Sequence, residues 1–226
     1  MFRFKELIEL WRADNLLTQA LNDSNAMLES THEMFRESVK SLRKSDSGEM
    51  GMDVYEKDRM VNKYEREVRS KVLKHLVITG GTNIVPGLIL TSIVIDIERI
   101  GDYTKNIKDL AVAHPKRLEC GMFEEEMRKI ETAVDKLFEG AIPAMKTSDK
   151  EAAQALMKDN WWVIKRCDAI LNDLIAEKDL ALTAGAAVST GMYGRFLKRI
   201  AAHLINMLSS VVNPFENIGF HEREDT

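Results

Sequence analysis

The chain of 226 residues is long enough for one large domain or two small ones. Hydrophobic residues make up 45% of it and charged residues 30%, which is typical of a globular protein and too apolar for a disordered one. The formal net charge is −4 and no basic patch stands out, so we expect no nucleic-acid partner.

The cysteines and the apolar runs indicate a soluble protein of the cytoplasm. Cys120 and Cys167 are isolated and form no C-x-x-C pair, as expected of free thiols in a reducing cytosol. The first residues contain no apolar region typical of a signal peptide, because Lys5, Glu6 and Glu9 interrupt them. The longest apolar run, residues 84–97, is shorter than the ~20 residues that cross a bilayer.

Three helices are predicted in the first half of the chain. Between residues 14 and 44, apolar or small residues recur at alternating steps of four and three, which is typical of a long bundle helix. After a turn at residues 44–49, the pattern predicts a second helix from Val54 to His75. Pro86 suits the first turn of a third helix, which runs to about Val112.

The second half repeats this plan after a break at His114 and Pro115. Apolar residues from Phe123 to Ile142 indicate a fourth helix, and Ser148-Asp-Lys-Glu151 has the pattern of a capping box that opens the fifth. We predict that residues 184–191 lie in the loop before the sixth helix, which ends near Pro214.

An internal sequence repeat indicates that the two halves are related. The segment 97–107 recurs at residues 197–207 with the same arginine, isoleucine and asparagine at its third, fourth and tenth positions. We therefore predict an all-α fold of six helices in two tandem three-helix bundles with spectrin-like up-and-down packing. The two repeats are residues 1–113 and residues 114–226.

Acidic residues of the first repeat are the candidate metal ligands. Glu98 and Asp102 are four residues apart, so their carboxylates share one face of the third helix. On the second helix, Asp58 and Glu65 occupy seam positions where the pattern demands apolar residues. A buried carboxylate is costly unless it is paired, protonated or bound to metal. Antiparallel packing of these helices would bring the four carboxylates together, with Asn62 and Asn106 as further oxygen donors.

The donor set and the second repeat lead to two more predictions. An all-oxygen set suits hard cations such as Mg²⁺, Mn²⁺, Ca²⁺ or ferric iron, although the acids could instead pair with arginines such as Arg99 or face solvent. In the second repeat, Lys198 and Ala202 replace the two acids of the third helix. We expect no metal there, and we expect Lys198 to approach Asp168 of the fifth helix.

No motif in the sequence indicates catalysis, so we predict no catalytic residues. Glu29-Ser-Thr-His32 has the Glu-x-x-His spacing of di-iron bundles, but those sites need two copies and there is no second. The glycine-containing segments 79–83 and 183–191 have neither the spacing nor the lysine of a phosphate-binding loop.

The acidic residues carry a resemblance to a known family. The run Glu98-Arg-Ile-Gly-Asp102, with Asn106-Ile107 after it, resembles the signature helix of PhoU-type phosphate-signalling regulators. The run Asp58-x-x-Val61-Asn62-x-x-Glu65 resembles the partner helix of that family. The resemblance extends over essentially the whole chain, as two tandem three-helix units.

What the resemblance implies is a cytoplasmic, homodimeric negative regulator of phosphate uptake and signalling. Such a protein acts with a phosphate transporter, a membrane sensor kinase or both, and it meets the membrane only through that partner. The acidic motifs of the family can hold a metal ion or cluster of iron, manganese, magnesium or zinc. Here the matching residues are Asp58, Glu65, Glu98 and Asp102.

Two alternatives remain open at this point. A degenerate di-iron carboxylate oxidase would share the carboxylate-lined bundle, and ferroxidase activity would distinguish it from a regulator. A structural docking bundle without any ion would share the fold, and elemental analysis of the purified protein would distinguish it.

Overall fold

The structure is a computed structural model that describes residues 16–46, 51–114 and 116–219. Within these ranges there are six long helices, two short 3₁₀ turns and no strand, which confirms the predicted all-α class. None of the helices in these described ranges is both long and apolar enough to cross a membrane. The helices are α1 (Leu16–Lys44), α2 (Val54–Ile78), α3 (Ile84–Ala113), α4 (Glu124–Thr147), α5 (Lys150–Ile175) and α6 (Ala184–Val212).

The helices pack as two bundles of three. Helices α1, α2 and α3 contact one another, as do α4, α5 and α6, and the bundles meet where α3 lies against α6 and α1 against α4. Lys57 pairs with Glu33 and Lys71 with Asp23, so α1 and α2 run antiparallel. The predicted tandem arrangement is confirmed, whereas the repeat boundary between residues 113 and 114 stays a prediction.

Most predicted helix positions agree with the structure. Helix α2 begins at Val54 as predicted and continues three residues beyond His75, and Pro86 lies in the first turn of α3. Part of the predicted turn at residues 44–49, the first two residues of the predicted first helix and Pro115 lie outside the described residues.

The predicted capping box at the start of α5 is wrong. Ser148 does not cap this helix, because it lies in the left-handed conformation (φ 54°, ψ 42°) that ends α4. Asp149 is the cap instead, and its carboxylate accepts a hydrogen bond of 2.9 Å from the backbone N–H of Ala152. The chain reverses sharply between α4 and α5, so that Ser148 ends α4 and the next residue, Asp149, caps α5.

The predicted loop at residues 184–191 is also wrong, since these residues form the first two turns of α6. Thr183 caps the helix by accepting a hydrogen bond of 3.2 Å from the backbone N–H of Ala186. A Cβ atom on Gly191 would lie 3.3 Å from Cδ1 of Leu171, so this glycine allows α5 and α6 to approach closely. The glycine serves helix packing rather than a turn.

A buried arginine joins the two bundles. The side chain of Arg43, at the end of α1, is 6% exposed. It donates hydrogen bonds to Glu131 (Nε to Oε1, 2.7 Å), to Glu124 (Nη2 to Oε1, 2.6 Å) and to the carbonyl oxygen of Leu118. A guanidinium bonded to two carboxylates of α4 fixes the position of α1 against the second bundle.

The Glu124 carboxylate has a strongly altered acidity because of these contacts. Burial by itself raises the pKa of Glu124, but hydrogen bonds from the Cys120 backbone N–H, Arg43 and Arg128 outweigh it and lower the pKa to about 2. Since the folded pKa lies below the unfolded value, this group stabilises the fold at neutral pH. The stabilisation is lost as pH falls through the range between the two values.

Two histidine–aspartate pairs add to the contact between the bundles. Nε2 of His32 on α1 lies 2.6 Å from Oδ1 of Asp135 on α4, and Arg36 donates a hydrogen bond of 2.7 Å to the same oxygen. Nδ1 of His203 on α6 lies 2.7 Å from Oδ1 of Asp96 on α3. A histidine–aspartate pair therefore lies at the contact of α1 with α4 and another at the contact of α3 with α6.

Glu124→Gln tests this ionic connection. We expect the variant to lower the free energy of unfolding at pH 7 by about 1–2 kcal/mol, because a neutral amide replaces a carboxylate held by charged donors. The difference from the wild type should shrink as pH falls below about 5, because the Glu124 carboxyl then becomes protonated in the unfolded chain, while in the folded protein it stays ionised down to a pKa of about 2. Urea unfolding followed by circular dichroism measures both effects.

Glu125→Gln is the matched control, since Glu125 is the neighbouring residue and its ion pair with Lys129 is solvent-exposed. We expect no measurable change in stability from it. A difference between Glu124→Gln and the wild type that is the same at pH 3 and pH 7 would contradict the role of the Glu124 charge.

Candidate metal centre

The acidic residues lie where α2 and α3 run side by side in opposite directions. The hydroxyl of Tyr55, at the start of α2, donates a hydrogen bond of 2.6 Å to Asp109, near the end of α3. One turn further along α2, Asp58 faces Lys105. The same antiparallel register brings Glu65 level with Glu98, and the negative charge of Glu65 acts on Glu98.

A glycine in the centre of the motif allows these helices to approach. Gly101 is buried on α3, and a Cβ atom at this position would lie 3.3 Å from Cγ1 of Val61 on α2 and 3.6 Å from Cγ2 of Thr31 on α1. The glycine between Glu98 and Asp102 therefore has a packing role. It brings the acidic face of α3 close to that of α2.

Asp58 is a buried carboxylate with a cationic partner. It is 7% exposed, in line with its position in the apolar seam of α2. Its Oδ2 accepts hydrogen bonds from Nζ of Lys105 (2.8 Å) and from Nδ2 of Asn62 (3.3 Å). Lys105 also donates to Oδ1 of Asp102 (3.1 Å), so one ammonium connects the acids of two helices. Of the states expected for a buried acid, Asp58 adopts the paired one.

Sequence reasoning missed Lys105, although a signal for it was present. The residue follows Asp102 by three positions and Gly101 by four, so it lies on the same face of α3 as the acidic motif. Burial by itself lowers the pKa of Lys105, but the hydrogen bonds to Asp58 and Asp102 outweigh it and raise the pKa. The ammonium therefore stays charged at neutral pH.

Glu65, Glu98 and Asp102 have arginine neighbours. Oε1 of Glu65 lies 2.8 Å from Nη2 of Arg69 on the same helix. Arg99 reaches Glu98 (Nε to Oε2, 3.5 Å) and Asp102 (Nη1 to Oδ2, 3.3 Å), but its side chain is 54% exposed. The arginine pairing that the sequence left open is thus present, and in the case of Arg99 it lies at the solvent edge.

The electrostatics of Glu98 indicate that the four acids lie in one region. Burial raises the pKa of Glu98, and the negative charge of Asp102 raises it further. Arg99 lowers this pKa, while Glu65 and Asp58 add to the increase. The other three candidate ligands therefore all act on Glu98, which has an excess of negative charge around it.

The donor chemistry fits a hard cation, but the side chains as placed do not surround a common point. Over residues 16–46, 51–114 and 116–219, no three His, Cys, Asp or Glu side chains are grouped closely enough to hold a metal ion. Between Asp58 and Asp102 the positive charge is that of Lys105. Metal ligation by Asp58, Glu65, Glu98 and Asp102 stays a prediction.

The corresponding region of the second repeat contains the predicted ion pair. Nζ of Lys198 lies 2.6 Å from both carboxylate oxygens of Asp168, which confirms the expected partner. The Asp168 side chain is 51% exposed, so the pair contributes only about 0–1 kcal/mol to stability. The expected absence of metal in this repeat stays a prediction.

The Glu-x-x-His pattern of α1 serves a different purpose from the acidic residues. Glu29 accepts a hydrogen bond of 2.5 Å from Lys146 of α4, and the His32 ring stacks on Phe138 of α4 at 4.7 Å. Both residues are engaged in the contact between the bundles rather than with α2 and α3. A di-iron site of the Glu-x-x-His type gains no support from their positions.

These features define a class of protein: a tandem pair of three-helix bundles with an acidic motif between the second and third helices of the first bundle. Residues 25–111 match the family model described as the PhoU domain. This range contains α2, most of α1 and α3, and the whole acidic motif. This match to the first repeat confirms the predicted resemblance to the PhoU family.

Two crystal structures share the fold over most of the chain. PhoU from Pseudomonas aeruginosa matches with a TM-score of 0.76 and 20% identity, over 87% of this chain and 95% of that one. The phosphate transport system regulatory protein PhoU from Streptococcus pneumoniae matches with a TM-score of 0.74 and 14% identity, over 86% of this chain and 92% of that one. Among curated proteins, none matches this chain.

Gly101→Val tests the close approach of α2 and α3. We expect a loss of about 1–3 kcal/mol in the free energy of unfolding, because the added side chain meets Val61 across a tightly packed contact. Combining it with Val61→Ala, which removes the nearest atom, should recover part of the loss. Urea unfolding of the single and double variants measures this coupling, and strictly additive losses would contradict the proposed contact.

Proposed function

We propose that this protein is a cytoplasmic regulator of phosphate uptake and phosphate-responsive signalling rather than an enzyme. The observation that carries the proposal is the PhoU domain at residues 25–111, supported by the fold shared with two PhoU structures over most of the chain. One of those structures is titled a phosphate transport system regulatory protein. Its regulatory role is the function that we extend to this chain.

The regulator acts by binding other proteins. Its partners are a phosphate transporter, a membrane sensor kinase or both, and its contact with the membrane is made through them. It functions as a homodimer, in keeping with the resemblance to the PhoU family. Light scattering of the purified protein measures the mass of the assembly directly.

The acidic site of the first repeat holds a metal ion or cluster of iron, manganese, magnesium or zinc. The proposed ligands are Asp58, Glu65, Glu98 and Asp102. Two observations support a cation there: all the donors are carboxylate oxygens, and burial together with neighbouring acids raises the pKa of Glu98. A bound divalent ion would offset this accumulation of negative charge.

Deletion of the gene in its native organism tests the regulatory function. We expect uptake of labelled phosphate in phosphate-rich medium to rise in the deletion strain, because a negative regulator of the transporter has been removed. Expression of the wild-type chain from a plasmid should restore the original rate. An uptake rate that is the same with and without the chain would contradict the proposal.

The double variant Glu98→Gln with Asp102→Asn tests the metal site. After the purified protein is loaded with Mn²⁺ and desalted, mass spectrometry for elements should find metal on the wild type and little on the variant, since two anionic ligands are lost. Asp168→Asn, in the second repeat, is the matched control and should keep the wild-type metal content. Equal metal on the double variant and the wild type would show that the ligands are elsewhere.

A further inference from the structure

The outer surface of α2 and α3 is apolar at one end of the first bundle, where α2 ends and α3 begins. Four large apolar side chains are exposed there, and we call them the apolar patch: Leu73 (64%), Val77 (73%), Ile84 (53%) and Leu88 (41%). Ile78, the last residue of α2, is also exposed and adjoins them. A group of exposed apolar residues of this kind marks a site where another apolar surface binds.

The close packing of α2 against α3 makes the members of the apolar patch neighbours. A Cβ atom on Gly87 of α3 would lie 2.9 Å from Cγ1 of Val72 and 3.4 Å from Cδ1 of Leu76, both on α2. Because the two helices are antiparallel, this register places each member of the patch on α2 level with one on α3: Leu73 with Leu88 and Val77 with Ile84. The patch is therefore one continuous surface.

The described part of the chain begins at the same end of the bundle. Lys71 of α2 pairs with Asp23 of α1, and these helices are antiparallel. Leu16 precedes Asp23 by seven residues and Ile78 follows Lys71 by seven, so Leu16 and Ile78 are level. Residues 1–15 therefore enter the bundle beside the end of α2 and the apolar patch.

The sequence of residues 1–15 is suited to covering an apolar surface. Four of its large apolar residues follow the i, i+3, i+4, i+7 spacing of one face of an amphipathic helix: Phe4, Leu7, Ile8 and Trp11. Asp14-Asn15 favours a turn directly before α1. Residues 220–226, which follow the described part of the chain, contain only one apolar side chain and are not suited to this role.

The segment is long enough to reach the apolar patch. The patch faces solvent, so residues 1–15 must pass over the loop at residues 79–83 to reach it from the start of α1. Packed helices lie about 8–10 Å apart. Fifteen extended residues span roughly 50 Å, and a helical residue still adds about 1.5 Å. The reach is therefore sufficient even when part of the segment is helical.

We propose that residues 1–15 fold back over the loop at residues 79–83 and bind the apolar patch of the same chain. The contacting face is the one formed by Phe4, Leu7, Ile8 and Trp11. Contact removes two apolar surfaces from water, which is the driving force for binding. The segment thus acts as a removable cover, and a protein that uses the same surface must displace it first.

The opposite end of the molecule provides a matched control. Helix α6 runs antiparallel to α3, as two contacts between them show: His203 with Asp96 and Arg199 with Tyr103. The start of α6 therefore lies far from the start of α1. At that end Ile175 is 72% exposed and Val188 66% exposed. Val188 is the fifth residue of α6, as Leu88 is of α3.

Hydrogen–deuterium exchange of the purified full-length protein, measured by mass spectrometry, tests the proposal. We expect the amides of residues 4–11 to exchange at least about tenfold more slowly than those of an unstructured chain. Leu73→Gln with Leu88→Gln should abolish this protection, because the apolar patch is then polar. The matched control Ile175→Gln with Val188→Gln should keep the wild-type protection. All four positions are exposed, so the substitutions leave the core intact.

A substitution in the segment tests the same contact from the other side. Leu7→Gln with Ile8→Gln should also abolish the protection of residues 4–11. Combining it with the patch variant should cause no further change, because both variants remove one shared contact. A further loss in the combined variant would contradict that contact.

Three other results would overturn the proposal. The first is exchange of residues 4–11 in the wild type at the rate of an unstructured chain. The second is protection that the patch variant retains, since the segment would then bind elsewhere. The third is protection that disappears on dilution together with a fall in the mass measured by light scattering, because the segment would then bind a second copy of the chain.

Discussion

The arrangement of α2 and α3 depends on the burial of one carboxylate. Asp58 occupies a core position of α2, where an uncompensated charge would be costly. Its partner Lys105 comes from the neighbouring helix, so the pair fixes the register of α2 against α3. That register brings Glu65 level with Glu98, and Gly101 allows the helices to lie close enough for these side chains to interact. The acidic site is therefore a consequence of the packing as much as of the motif.

The two repeats differ in sequence at this site, but each places a lysine of its third helix against an aspartate of its second. The first keeps the four acids and places a lysine between two of them. The second has replaced its motif glutamate by Lys198, which pairs directly with Asp168. In both, a lysine neutralises an aspartate of the middle helix. The chain itself thus supplies part of the positive charge that a metal would bring.

Polar contacts also determine how the repeats are joined. Arg43 binds two glutamates of α4, and the pair His32–Asp135 lies at the same contact of α1 with α4. The pair His203–Asp96 connects the bundles at the contact of α3 with α6. Such contacts have defined geometry, whereas apolar surfaces can slide over one another. The fold shared with two PhoU structures over most of the chain shows that this tandem arrangement persists at identities of 14–20%. The proposed regulator would then present both repeats to its partners in a fixed relation.

The sequence by itself was sufficient to predict the helices, their tandem organisation and the acids on α2 and α3. Heptad spacing and the recurrence of the segment 97–107 at residues 197–207 can be read from the sequence. Neither requires knowledge of which chain segments are neighbours in space. The Lys198–Asp168 pair was also predictable, because a lysine had replaced an acid in an aligned motif. The roles of Ser148, Gly191 and Lys105 were decided by the tertiary structure. A helix end, a close approach and an ion pair all depend on which segment lies opposite, and that is determined only when the helices pack.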